Sequence, residues 1–281
     1  MQRIALFTLL LLGVAALSGC DHLAFQPYRE HLLDPAQVGI AVEDVAIATA
    51  DGLKLHGWFL EAKQERPHGT VLFLHGNAEN ISTHLGSVWW LPNYGYNVLL
   101  FDYRGFGRSQ GEPSIEGLHI DFSAALTYLR SRRDIDSNRL IIFGQSMGAA
   151  TTITAMAALE DRDGIRAVVV EGAFTSYRKV AREALAGFWL TWPLQWPLSL
   201  AFDNDHRPID AIAGVSPIPL LIIHSEADTI IPIHHAEQLF AAAKAPKEFW
   251  RDRTAPHIGV FTQPKNRERL VEYLNGVQAE R

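Results

Sequence analysis

Two places in the chain set a serine between glycines at the spacing a nucleophile elbow requires, Gly144-Gln145-Ser146-Met147-Gly148 and Gly107-Arg108-Ser109-Gln110-Gly111. In such a string the glycines permit close backbone approach and a sharp turn from strand into helix, which lifts the serine hydroxyl above the sheet edge. The string alone is weak evidence, because short motifs arise by chance. Flanking sequence separates the two copies. Ser146 follows the apolar run Leu140-Ile141-Ile142-Phe143 and precedes an Ala- and Thr-rich stretch, 147–159, without proline and without glycine after Gly148. Ser109 follows the loop-like Tyr103-Arg104-Gly105-Phe106 and soon meets Glu112-Pro113, so no helix can begin there and a structural role is expected.

A serine hydroxyl is a poor nucleophile until a base takes its proton, and the base needs a carboxylate to hold it in the right tautomer. On a strand–elbow–helix nucleophile these follow in the chain order Ser, Asp, His. The acid is therefore sought after a late strand and the base on a loop near the C-terminus. The run Pro219-Leu220-Leu221-Ile222-Ile223 leads into Ser225-Glu226-Ala227-Asp228, which offers Asp228 or, two residues earlier, Glu226; His224 is assigned to the strand's packing. The loop Thr254-Ala255-Pro256-His257-Ile258-Gly259 offers His257 as base. His234 and His235 stand at a helix start, where adjacent residues face different directions. Neither they nor His119 has the partners of a metal site, so no metal or other cofactor is expected. Acyl transfer also needs donors for an oxyanion. The backbone N–H of Met147 is one, and the loop His75-Gly76-Asn77-Ala78 after Leu72-Phe73-Leu74 supplies the second from Asn77 or Ala78.

Short apolar runs at 70–74, 97–101, 139–143, 167–170 and 219–223 alternate with helical stretches such as 115–132, 147–159 and 235–243. That order predicts an α/β fold with a mainly parallel central sheet and helices on both faces. Asp51-Gly52, between runs at 42–48 and 53–61, signals an antiparallel hairpin at the start of a domain spanning 43–281. One stretch breaks the alternation, carrying Trp189, Trp192 and Trp196 together with Pro193 and Pro197. Interior prolines argue against a single regular helix. Two readings stay open: a core segment with the tryptophans on one helical face, or a cap-like insertion, about 177–204, whose tryptophans border the substrate pocket or meet a membrane.

The composition, 281 residues with 48% hydrophobic and 20% charged, fits one large folded domain. A net charge of −6 with no basic tract makes nucleic acid an unexpected partner. A monomer acting on a small-molecule or acyl-chain substrate is expected. The single cysteine, Cys20, excludes an intrachain disulfide. Residues 1–19 read as a secretory leader, Arg3 followed by an apolar run over 4–17 that is short for a membrane span. The end of that run, Leu17-Ser18-Gly19-Cys20, resembles the lipobox of bacterial lipoproteins. The resemblance implies cleavage before Cys20, lipidation of its sulfur, and a tether and lead-in over 20–42. Asp21 resembles the signal that retains lipoproteins in the inner membrane of some Gram-negative bacteria, which implies an exported protein on the periplasmic face of that membrane.

Over roughly 43–276 the chain resembles the α/β-hydrolase superfamily. The resemblance is carried by His75-Gly76-Asn77, Asp102-Tyr103-Arg104-Gly105-x-Gly107, the Ser146 elbow, Asp228-x-x-Ile231-Pro232 and His257. The Asp-x-x-Ile-Pro context favours Asp228 over Glu226. The run His75-Gly76-Asn77-Ala78-x-Asn80 is similar to the Bem46-like branch, which includes bacterial lipoproteins and eukaryotic acyl-protein depalmitoylases. The resemblance implies ester or thioester hydrolysis through an acyl-enzyme; a peptidase of the same fold and a non-catalytic lipoprotein scaffold are the alternatives.

Overall fold

A computed structural model describes residues 25–187, 189–202 and 204–279. The leader, Cys20 and Asp21 lie outside the described residues. Among the described residues no helix is long and apolar enough to cross a membrane.

Eight strands form one sheet: β1 (Glu43–Ala48), β2 (Lys54–Leu60), β3 (Gly69–Leu74), β4 (Tyr96–Phe101), β5 (Leu140–Gln145), β6 (Ile165–Glu171), β7 (Leu220–Ser225) and β8 (Lys247–Asp252). Their spatial order is β8-β7-β6-β5-β3-β4-β2-β1. Strands β3 to β8 pair in parallel, and the opening hairpin joins antiparallel to β4 through β2. The hairpin turns at Gly52, whose φ of +87° is one a glycine adopts without strain. Of the five longer helices, α1 (Ile115–Ser131), α2 (Met147–Ala158), α3 (Tyr177–Ala186), α4 (His234–Ala242) and α5 (Pro264–Ala279), all but α3 cover the sheet. Ser114 caps α1 by accepting the Gly117 N–H at 3.0 Å.

Alternation along the strands explains why both faces need helices. Val71 and Phe73 of β3 join Ile141, Phe143, Val169 and Leu221 in one core, which α5 closes with Leu270, Val271 and Leu274. Leu72 and Leu74 point the other way, into a core shared with Ile142, Val168, Ile222 and residues of α1, α2 and α4. Strands β3, β4, β5 and β7 are buried at every position, as parallel strands between two helical layers must be. Each fully buried Leu, Ile, Val or Phe contributes roughly 1.5–3 kcal/mol, so the two cores hold the domain without a crosslink.

The described part of the lead-in does more than connect. Gln26–Pro27 pair in parallel with Ala78–Glu79, Phe25 is buried, and Arg29 donates to the carbonyls of Ser109 and Gly111. Asn80 donates to the carbonyls of Tyr28 and Glu30. Residues 25–33 are thus a strap bound across the His75–Ala78 loop and the loop that carries Ser109.

The Trp-rich segment folds as a 3-10 turn (Trp192–Leu194) and a short helical turn (Gln195–Ser199) after α3. Pro193 falls at the start of its turn, where a missing N–H costs nothing. Trp189, Trp192 and Trp196 are exposed, so the segment is no part of the core.

Candidate active site

The carboxyl ends of β3, β5, β6, β7 and β8 carry the residues of the candidate site, the edge at which parallel sheets place their ligands. Ser146 joins β5 to α2 with φ of +53° and ψ of −115°, a strained conformation for a residue with a side chain. Its N–H donates to the Glu171 carbonyl at 2.9 Å. The flanking glycines are demanded by contact. A Cβ on Gly144 would lie 2.4 Å from the Gly148 carbonyl oxygen, and one on Gly148 would lie 2.1 Å from that of Leu74. Gln145 is fully buried beneath the elbow.

His257 Nδ1–H donates to Asp228 Oδ2 at 2.6 Å, and the Ser146 hydroxyl donates to His257 Nε2 at 2.9 Å. Asp228 Oδ1 accepts the N–H groups of Ile230 and Ile231, each at 2.9 Å. Burial pushes the Asp228 carboxyl up, but the bonds from His257 and from these two amides outweigh it and hold the group below the ordinary aspartate value. It therefore stays charged and fixes the ring with its free lone pair toward the serine. Glu226 is exposed and takes no part. His224 donates to the Ile231 carbonyl at 2.7 Å; burial lowers its pKa, so it supports the acid loop as a neutral ring.

Ser109 is buried, donates to the Asp102 carbonyl at 2.5 Å and accepts the His56 N–H at 2.9 Å, a structural role as the flanking sequence requires. The surrounding Asp102–Gly107 motif is structural too. Arg104 makes two side-chain bonds to Asp121 Oδ1 on α1, at 3.0 and 2.8 Å, and two to the Asp51 carboxylate in the hairpin, at 2.9 and 3.3 Å. Asp102 accepts the Ile81 N–H at 2.9 Å and faces His31 Nε2 at 3.0 Å.

Among the described residues, two groups bring His and carboxylate atoms within metal-binding reach: His31, His56 and Asp102, and Glu183, His234 and His235. Hydrogen bonding accounts for both. Burial would lower the His56 pKa, but Asp102 and Asp44 on either side of the ring raise it overall, favouring a doubly donating imidazolium. His235 Nδ1 accepts the Thr175 N–H at 3.1 Å, so the proton sits on Nε2 and is given to Glu183 at 2.9 Å. Burial lowers the His235 pKa to about 4. With His234, 3.2 Å from the other Glu183 oxygen, this pair clasps α3 to α4. His119 bonds Ile115 O and Thr154 Oγ1 and stays outside the site.

A cavity of about 640 Å³ opens over Ser146, within the usual size of small-ligand sites. Met147, Asn77 and Ala78 line it beside the nucleophile, so both candidates for the second oxyanion donor are in place and the positive end of α2 points at the reacting centre. The loop is kept rigid by His75, whose Nδ1–H donates to the Gly76 carbonyl at 2.7 Å. Burial, helped by nearby His84, lowers the His75 pKa to about 3, so the ring stays neutral.

The roof of the cavity corrects the sequence reading. Tyr177, Val180, Ala181, Ala184 and Leu185, a stripe at helical spacing on α3, face the cavity, with Phe202 beyond them. Trp189, Trp192 and Trp196 do not line it; they stand on the outer side of the same cap, because the α3 stripe already fills the inner side. The period-3.6 pattern over 177–185 was the signal that locates the pocket wall.

One group at the site has no local sequence signature. Glu171, at the end of β6, is buried and accepts Gln145 Nε2–H at 2.6 Å and the Val260 N–H at 2.9 Å, joining the elbow to the loop that follows His257. Burial raises its pKa from 4.5 to about 7. Because the folded state holds this proton more tightly, the contribution is fully present below pH 4.5 and is lost as pH rises through about 7. Glu171→Gln is expected to flatten the fall in stability over that window, read from urea midpoints at several pH values, while activity is kept. Glu171→Ala strands two buried donors, at a cost of about 1–3 kcal/mol, and is expected to lower kcat by about tenfold through displacement of the His257 loop.

Residues 65–206 match the hydrolase family described as serine aminopeptidase, S33. The chain belongs to this family. It is 38% identical over 240 residues to the protein YfhR of Escherichia coli O157:H7, covering 83% of this chain and 81% of YfhR. It is 28% identical over 229 residues to the protein bem46 of Schizosaccharomyces pombe, covering 79% of this chain and 73% of bem46. The fold is shared with the Pyrococcus furiosus esterase Pf2001, at a TM-score of 0.72 and 24% identity, covering 90% of this chain and 100% of the esterase. The protein is a Bem46-like α/β hydrolase, and its sheet has the layered architecture the sequence implies.

Proposed function

We propose that this hydrolase cleaves carboxylic ester or thioester bonds of acyl or lipid-like substrates through an acyl-enzyme on Ser146, beside a membrane to which a lipidated Cys20 tethers it. The observation that carries the reading is the unbroken chain Asp228–His257–Ser146 on the floor of an apolar cavity. His257 Nε2 takes the Ser146 proton as Oγ attacks the acyl carbon. The carbonyl oxygen becomes an oxyanion held by the N–H groups of Met147 and of Asn77 or Ala78. Collapse of the intermediate breaks the bond to the alcohol or thiol, which leaves with the proton from His257. Water, deprotonated by the same ring, then releases the acid and frees Ser146.

The apolar stripe of α3 gives an acyl chain a surface to lie on. Phe25 follows Cys20 by five residues, a reach of roughly 17 Å, and Gln26 lines the cavity. A diacylated cysteine would thus keep the site close to lipid, and Asp21 favours the periplasmic face of the inner membrane. The S33 description raises peptide cleavage as a second reading. Among the described residues lining the cavity none is Asp or Glu, the groups that would hold a substrate's free amine, which favours the ester reading.

A matched series of acyl esters, acyl thioesters and aminoacyl amides tests this on the full chain. Turnover is expected to rise with acyl length for the esters and thioesters, with a fluorophosphonate probe labelling Ser146. Faster cleavage of the aminoacyl amides, or no labelling of Ser146, overturns the reading.

A further inference from the structure

From Gly187 to Phe202 the chain contains no Asp, Glu, Lys or Arg. Six large apolar side chains of this segment face outward: Trp189, Leu190, Trp192, Leu194, Trp196 and Leu200 are 77, 58, 61, 50, 64 and 47% exposed. Surface apolar residues are normally scattered singly, and a contiguous group of this kind marks a contact surface. Its border on the α3 side is basic, with Arg178, Lys179 and Arg182, whereas on the far side Asp203 and Asp205 precede Arg207, which pairs with Asp210 at 3.1 Å. The Arg182 guanidinium lies over the Trp196 ring, 4.3 Å from its centroid. The one acidic residue of α3, Glu183, is turned away into its bonds with His235 and His234.

Tryptophan at the edge of an apolar surface, flanked by cations on the α3 side, matches the headgroup layer of an anionic bilayer. The residues ahead of Phe25 include the apolar run over 4–17 and Cys20, and the strap they lead into reaches the cavity at Gln26. The cap whose outer face is apolar roofs that cavity, with α3 and Phe202 on its inner side. We infer that the outer face of residues 189–200 seats in the interfacial layer of a membrane containing anionic lipid, so that the cavity receives its substrate from the lipid side. The surface is a second membrane contact, independent of the acyl chains on Cys20. The substrate route rests on the ester or thioester reading above; the seating does not.

The test uses the full chain on vesicles of phosphatidylcholine and phosphatidylglycerol with brominated acyl chains, which quench tryptophan fluorescence by contact. Quenching is expected in the native chain and expected to fall to the level that Trp89 alone gives when Trp189→Phe, Trp192→Phe and Trp196→Phe are combined, since Trp58, Trp90 and Trp250 are buried and Trp89, 38% exposed, lies outside the segment; Trp89→Phe added to the three removes that remainder. Equal quenching in both proteins, or none in either, overturns the inference. This readout needs no activity, so it stands even if the ester reading fails. In a second arm, Trp192→Glu with Trp196→Glu is expected to lower hydrolysis of a vesicle-borne long-chain ester by about tenfold, with a soluble short-chain ester changed by less than about twofold. An equal fall on both esters assigns the face to folding and overturns the inference. So does a dimer in sedimentation that the glutamates dissociate, which assigns the face to a second copy of the chain.

Discussion

Ser146→Ala is expected to reduce kcat/KM on a short ester by on the order of 10³ to 10⁶, with little change in KM or in thermal stability. The size of the loss follows from what one atom does. On the proposed reading Oγ forms the bond to the acyl carbon; it is the partner of His257 Nε2 at 2.9 Å, and among the described residues no other hydroxyl bonds that nitrogen. The fold has little reason to change. The N–H of residue 146 still donates to the Glu171 carbonyl, and alanine meets the same backbone conformation as serine. The oxyanion donors remain, so a residual rate above that in water persists. His257→Ala is expected to cost a similar factor, and the double variant no more than either alone, because the groups act as a unit. Steady-state rates with fluorophosphonate titration decide the matter; full activity in Ser146→Ala would assign the chemistry to another nucleophile.

The second large effect comes from a side chain that is absent. Gly148→Ala places a Cβ 2.1 Å from the Leu74 carbonyl oxygen and 2.5 Å from that of His75. Both obstacles are backbone, at the end of β3, where a side-chain rotation cannot give relief. The strand end must move, and with it the loop bearing Asn77 and Ala78. Overpacking of this kind costs roughly 1–3 kcal/mol, and displacing an oxyanion donor costs on the order of 10² in kcat. Gly86→Ala is the control, since a Cβ there meets nothing within 4 Å. Thermal melts and kcat on the two variants should separate cleanly. A Gly148→Ala protein as stable and active as the native chain would show that the elbow is not pressed against β3.

The hydrogen-bonded set Ser146, His257 and Asp228 was legible in the sequence because two of its members follow strands whose apolar runs are visible on their own, and His257 was sought by chain order on a loop near the C-terminus. Strand β5 announces Ser146 and β7 announces Asp228. The choice of Ser146 over Ser109 rested on the apolar run before Ser146, the helix-like stretch after it and the loop-like surroundings of Ser109 with Pro113, whereas the choice of Asp228 over Glu226 needed the Asp-x-x-Ile-Pro context. Element ends were less legible: the run expected at 139–143 extends to Gln145, the residue that carries the strand into the elbow. Glu171 was invisible because its partners lie across the sheet. It faces Gln145 through the β5–β6 register, 26 positions away in sequence, and meets Val260 from a third element. The strap escaped for the same reason: His31, His56 and Asp102 share no local pattern. The tryptophans were misplaced because residue type fixes what a side chain prefers to touch, while the side of the cap it occupies depends on which helix reaches the cavity first.

The strap has a mechanical meaning as well. Gln26 donates its N–H to Asn77 Oδ1 at 3.1 Å, and Gln26–Pro27 pair with Ala78–Glu79, the stretch that presents the second oxyanion donor. If Cys20 is anchored as proposed, lipid and catalytic loop would be coupled in series, like weights on one cord. Tension or slack in the few residues ahead of Phe25 would be felt first at Asn77 and Ala78, before any part of the sheet takes the load.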